Sequence, residues 1–137
     1  MPQDQDLNRL LASIDPQLQP GAYAFCALDP HNLPSGLNIQ MLFRESEATT
    51  LVVPLAEASA RNLVGAFACE WITLGVSSDL AAVGFLAEVT ARLAAAGISA
   101  NVVSAYHHDH LFVPIGRGDE EMAVLRELQS QHHDNQR

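Results

Sequence analysis

Lysine is absent from this 137-residue chain; its seven basic residues are all arginine, set against sixteen acids, for a formal net charge of −9. A surface of that sign repels phosphate backbones and anionic headgroups, which argues against a nucleic-acid or membrane-surface partner. Without an ammonium side chain there is also no Schiff-base nucleophile and no phosphate-loop lysine. Cysteine is scarce: Cys26 and Cys69 stand far apart in apolar, strand-like runs with no C-x-x-C or Cys/His ligand spacing, and read as reduced packing residues. No apolar run approaches the roughly 20 residues of a membrane-spanning helix, and the start, MPQDQDLNRL, has the wrong charge and polarity for a signal peptide. The expected location is therefore the cytoplasm. Catalytic motifs are missing too, with no G-x-S-x-G, H-E-x-x-H or G-x-x-x-x-G-K, so the expectation is a protein that is not an enzyme and takes no cofactor.

What the chain does have is apolar residues, 48% of the total, enough to bury a core in one compact domain or two small fused subdomains. Leu7, Leu10, Leu11 and Ile14 share one helical face before Pro16 stops the helix, and Gln19 to Gly21 turn the chain. Gly21 to Leu28, Leu37 to Arg44 and Thr49 to Val53 read as strands, the last two forming a hairpin across Glu45 to Ala48. Pro54 then opens a helix to about Leu63, and Glu70 to Val76 is the next strand.

An internal repeat runs through these elements. Leu51-Val52-Val53-Pro54-Leu55, followed by an Ala/Glu-rich helix, parallels Leu111-Phe112-Val113-Pro114-Ile115, followed by a helical run from Asp119 to Leu128. Each is a strand stopped by proline and feeding a helix. The second copy has a long helix between its first two strands where the first has only the loop Asp29 to Gly36. The expected fold class is α+β: two ferredoxin-like units of βαββαβ type, the first degenerate, with antiparallel sheets and helices on one face. The divisions fall at 1–66 and 67–130, with a polar tail at 131–137. The second unit has no fourth strand of its own, so either an N-terminal strand completes its sheet or the strand at 70–76 is shared.

The richest stretch is Trp71 to Pro114. Its helix is expected from Leu80 to Ala96, with Ala82, Leu86, Val89, Leu93 and Ala96 as the apolar stripe, Glu88 and Arg92 four apart on the polar side, and Gly97 as the C-terminal stop. Gly84 falls in the second turn, which demands a reason: tight packing on the sheet, or a backbone or ligand pressed against the helix start. Ser77, Ser78 and Asp79 sit where strand yields to helix, and helix capping alone explains those residue types. A ligand reading adds that first-turn N–H groups and a serine hydroxyl hold a carboxylate while an aspartate holds an ammonium group. Tyr106-His107-His108-Asp109-His110 offers metal-type ligands at a hairpin tip, but strand alternation splits them: His108 and His110 share a face and His107 points away. No metal site is expected there, although a metal-binding protein using His107 to His110 is the weaker alternative.

The runs WITLGVSSDL, VGFLAEVTARLAAAGIS and NVVSAYHHDHLFVP resemble the small bacterial ACT-domain proteins that carry two ACT-like units in one short chain, closely from Trp71 to Pro114 and weakly in the first third. The resemblance implies a regulatory protein that binds an amino acid across the turn after the first strand and the start of the first helix. Carried over residue by residue, the ligand site comprises Ser77, Ser78, Asp79, Leu80, Val83 and Gly84, with Asn101 and Val102 on the facing strand. This turn lacks the family's proline, and Gly84 falls five residues after Asp79. The implied partners are a small-molecule ligand, an amino acid, and a second copy of the chain in a homodimer. The other reading is a protein-interaction module whose ligand site has decayed.

Overall fold

The computed structural model describes residues 2–63, 65–79 and 82–134. In chain order the elements are α1 (Pro2–Ala12), β1 (Pro16–Leu18), β2 (Tyr23–Leu28), β3 (Met41–Arg44), β4 (Thr49–Pro54), α2 (Leu55–Ala60), β5 (Gly65–Leu74), α3 (Phe85–Ala95), β6 (Asn101–Ser104), β7 (Asp109–Pro114) and α4 (Gly118–Asp134). All strand pairs are antiparallel, in the order β3-β4-β2-β5-β7-β6, with β1 also on β5.

The ten-residue β5 belongs to both halves of this sheet. Its first half pairs with β2 from Gly65 to Cys69, and its second half pairs with β7 from Cys69 to Thr73. Beyond the end of β2, β1 occupies the same edge, with Pro16 to Leu18 opposite Leu74 to Ile72. Each half is thus a four-stranded ferredoxin-like sheet: β5-β2-β4-β3 first, β1-β5-β7-β6 second. Both alternatives raised by the sequence hold at once, since an N-terminal strand completes the second sheet and the strand near 70–76 is shared. The first unit is degenerate as expected, because residues 29–40 form a loop where the second unit has α3.

The helices lie on one face. α1, α3 and α4 cover the second unit over a core that includes Leu11, Ile14, Ile72, Leu74, Phe85, Val89, Leu93, Leu111, Leu125 and Leu128, and the short α2 covers Ala24, Cys26, Leu51 and Val53 in the first. The other face of the sheet carries Val52, Cys69 and Phe112, packed with Tyr23, Phe25, Met41, Phe67, Trp71 and Val103. Burial pushes the Cys69 thiol up to about 12, so it stays protonated and inert.

Several boundaries differ from expectation. β1 falls in a stretch read as helix end and turn; Asp15, at φ 50°, bends the chain, and Gly75 gives it room, since a Cβ there would collide with the Asp15 side chain and carbonyl. Pro54 is the last residue of β4, opposite Tyr23, rather than the first turn of a helix, and α2 stops at Ala60. β3 begins only at Met41. The polar QSQHHD segment continues α4 to Asp134 because α1 lies beside it, with His132 Nδ1 3.0 Å from Asn8 Oδ1.

One core residue opposes the rest. Glu121, in the opening turns of α4, is fully buried, and neither carboxylate oxygen has a hydrogen-bond partner among the described residues. Burial first, and the neighbouring Glu70 carboxylate second, raise its pKa to about 8. The helix N-terminus favours an anion by only about 0.3–1 kcal/mol, whereas an unpaired buried charge is disfavoured by several kcal/mol, so the proton stays on. The folded pKa lies above the unfolded one, so stability is complete below the ordinary glutamate range and falls as pH rises toward 8, by at most about 1.4 kcal/mol per pH unit. Glu121→Gln, which cannot ionise, flattens that slope. Urea midpoints of the two proteins should lie closest at pH 5 and separate by pH 8 in favour of the variant; parallel profiles would refute the buried proton.

Candidate functional site

The helix that the sequence starts at Leu80 begins five residues later. Gly84 is its N-cap, with φ 90° and ψ −14°, and the first helical bond runs from Glu88 N–H to the Gly84 carbonyl at 3.0 Å. Left-handed backbone is open to glycine and strained for other residues, so conformation accounts for Gly84. Crowding does not, because a Cβ there would meet only Leu7 Cδ2, at an ordinary 3.6 Å.

The shift removes the capping role expected of the serines. No side chain caps α3 at Gly84. The Ser78 hydroxyl instead donates to Asp109 Oδ2 on β7, at 3.0 Å. The N–H groups of Phe85, Leu86 and Ala87 precede the first intrahelical bond and form the positive end of the helix dipole. Those three residues border a cavity of about 120 Å³, lined also by Ser78, Asp79, Gly84, Ser104 and Asp109. Beside it lies a more open cleft of about 360 Å³, bounded by Ser77, Ser78, Asp79, Tyr106 and His107. Ser78 and Asp79 line both.

Of the residues expected at the site, Ser78, Asp79 and Gly84 line the inner cavity and Ser77 the outer cleft. Leu80 lies outside the described residues. Val83 is 84% exposed and lines neither space. Asn101 and Val102 lie on β6, where Asn101 is exposed and Val102 packs against the helical core; Ser104, from the same strand, reaches the cavity instead. Asp109, 5% exposed, is another lining residue absent from the expected site, as are Ala82 and Phe85 to Ala87. Its signal was there, since an acid two residues before a buried Leu111 on an alternating strand faces the core and needs a partner.

The cavity is lined both by the first residues of α3 and by Asp79 and Asp109, and no arginine lines it among the described residues. Such a site suits a small zwitterion, with an anionic group on the helix and a cationic group on the acids. At about 120 Å³ it is well below the roughly 300 Å³ at which sites for drug-sized ligands begin.

The hairpin histidines separate. His110 turns to the helix-free face, where its Nδ1 accepts from Trp71 Nε1 at 3.0 Å and lies 3.1 Å from Thr73 Oγ1. Burial, then His108, lower its pKa, with Asp109 acting weakly the other way. His107 stacks edge-on with Tyr106 by the outer cleft, and His108 Nδ1 is buried without a hydrogen-bond partner among the described residues. Among those residues no three His, Cys, Asp or Glu side chains converge on a point that could hold a metal ion.

The chain is thus a pair of ferredoxin-like sheets sharing one strand, with a cavity at the start of the second unit's first helix. The chain belongs to the ACT-domain family: one ACT-domain family model matches residues 3–70 and another residues 67–125. A solved Vibrio cholerae protein of unknown function, described as a possible transport protein, is 35% identical at TM-score 0.82 and covers 93% of this chain and 98% of its own. At the level of fold alone, an Agrobacterium tumefaciens protein matches at 18% identity and TM-score 0.65, covering 83% of this chain and 87% of its own. The regulatory subunit of aspartate kinase from Thermus flavus matches at 8% identity and TM-score 0.62, covering 83% and 96%. No curated protein matches the sequence.

Gly84→Ala should cost about 1–2 kcal/mol, because alanine must hold left-handed backbone at the start of α3. The urea midpoint checks this; an unchanged midpoint would mean that the N-cap conformation is not required.

Proposed function

We propose that the protein is a non-enzymatic regulatory module of the ACT type that binds a small amino acid at the start of α3. The uncapped first turn of α3, opening into a cavity that also holds two carboxylates, carries this reading. The ligand carboxylate takes the Phe85 and Leu86 N–H groups, its ammonium group lies between Asp79 and Asp109, and the Ser78 and Ser104 hydroxyls complete the shell. The limited volume favours amino acids with short side chains, while the outer cleft at Ser77, Tyr106 and His107 accommodates a modest extension. The homodimer and the cytoplasmic setting belong to the same reading, and the division at 1–66 and 67–130 is one of sequence repeat, since α1 and β1 pack with the second unit and β5 serves both.

A thermal-shift screen against the twenty amino acids tests it. At a hundredfold excess over Kd, a ligand that binds only the folded state adds about 2.7 kcal/mol, a rise in Tm of several degrees. Asp79→Ala and Asp109→Asn should each reduce that rise for the active ligand. A flat screen at millimolar concentrations would overturn the assignment in favour of a module whose site has decayed.

A further inference from the structure

The ladder between β5 and β7 ends at the pair Thr73 and His110. Past that pair the two segments each deliver half of a contact at the cavity. The chain leaves β5 at Leu74 and reaches Ser78, β7 begins at Asp109, and the Ser78 hydroxyl donates to Asp109 Oδ2 at 3.0 Å. Whatever fastens the last pair therefore sets the position of both Ser78 and Asp109.

His110 fastens it with its side chain. On the helix-free face its Nδ1 accepts from Trp71 Nε1 at 3.0 Å and lies 3.1 Å from Thr73 Oγ1, which itself accepts from Gln19 Nε2 at 3.0 Å. One nitrogen on β7 is thus tied to two residues of β5 and, through Thr73, to the segment after β1. An indole N–H can only donate, so Nδ1 presents its lone pair and the proton of the neutral ring sits on Nε2. A second proton would set N–H against N–H at the Trp71 contact and break it. The Thr73 hydroxyl can turn to accept; the indole cannot.

Few charges surround this ring. β6 sets Val103 opposite it and carries no ionisable residue. On β5, Glu70 turns to the helical face, where it lies against Gly118. Beside β1 the one carboxylate is Asp15, which accepts from Gln17 Nε2 at 3.0 Å. Just before β7, His108 shares the ring's face by alternation, while Asp109 turns to the other. Burial first, then His108, hold the His110 pKa below the ordinary 6.5, against the opposing pull of Asp109.

We propose that His110 is a positioning residue for the amino-acid site and its proton switch: the neutral ring pins the end of the β5–β7 ladder and so holds Asp109 against Ser78, and the protonated ring releases that corner and the ligand with it. The proposal rests on the functional reading above and adds its regulation. Because folding depresses the pKa of the ring, the pinned form is complete above 6.5 and is lost as pH falls through the depressed value. Linkage is reciprocal, so a bound amino acid makes His110 harder to protonate.

His110→Asn and His110→Ala separate the switch from a packing role, since an asparagine amide oxygen can stand where Nδ1 stands without titrating, whereas alanine removes the acceptor. The window is about pH 7.5 to about pH 5, above the ordinary carboxylate range. The signals are Trp71 fluorescence, which an imidazolium quenches and which comes from the only tryptophan in the chain, the Ser78 backbone amide resonance, and the affinity for the amino acid giving the largest thermal shift. In the wild type both spectroscopic signals should move together below 6.5, with affinity falling about threefold or more. His110→Asn should bind within about threefold of wild type at the upper pH and stay flat in all signals, while His110→Ala binds more weakly throughout. His108→Gln leaves His110 in place and removes a neighbouring like charge, so its fluorescence midpoint should rise; an unmoved midpoint would detach the signal from His110. A wild-type fluorescence that does not titrate, or titrates equally in His110→Asn, overturns the switch. A Ser78 resonance equally pH-dependent in both proteins overturns the link to the site, and an affinity that holds while both signals titrate overturns the regulation alone. If no amino acid binds at any pH, the functional reading fails instead, and the two ligand-free signals still decide whether His110 governs the Ser78 and Asp109 corner.

Discussion

Backbone hydrogen bonding by β5 is the constraint on which the remaining structure depends. One ten-residue strand serves as the last strand of the first sheet and the first strand of the second. Its residues must therefore suit neighbours in both units: Cys69 pairs with Tyr23 on one side and Pro114 on the other, and Ile72 pairs with both Leu18 and Leu111. The two family matches overlap over residues 67–70, inside this strand. No linker separates the halves, because the boundary itself is hydrogen-bonded structure.

From that strand the site follows. β5 ends at Leu74, and the chain leaves it still held to the N-terminal segment by Gly75 N–H and Val76 N–H on Asp15 and Ile14. The path through Ser77, Ser78 and Asp79 thus starts from a fixed point, and Gly84 redirects it into α3 with left-handed backbone. Because glycine has no side chain to offer, the first turn of the helix lacks a cap, and the nearby serine bonds to a buried aspartate across the cavity. An ordinary serine cap would have taken up one of the free N–H groups of that turn and left fewer for a ligand.

The sequence made the repeated pattern of proline-stopped strands visible, and with it the paired ferredoxin-like units, because alternation and 3.6-residue periodicity are local. It located the Ser77 to Gly84 segment as well. It did not reveal β1, a three-residue strand with a proline and no alternation to detect, whose existence depends on the exposed edge of β5. The start of α3 was misplaced because Leu80, Ala82 and Val83 continue the apolar period, yet Val83 points into solvent. Ser104 and Asp109 were missed for a similar reason: strands 101–104 and 109–114 could be read, but which of their residues meet the α3 N-terminus depends on tertiary register.

The place of β1 in the chain also affects how the molecule emerges from the ribosome. β1 is made first, but the part of β5 it must join follows more than fifty residues later, from Ile72 to Leu74. The first sheet cannot close before β5 appears, and the second cannot close without a strand synthesised before the first sheet began. The first sheet can close once Gly65 to Cys69 are made, but the second waits for β6 and β7, so β1 and the far half of β5 keep open edges until synthesis is well advanced. Such a topology ties the quality of the product to the pace of translation through its middle third, and makes that interval the one in which a chaperone has most to shield.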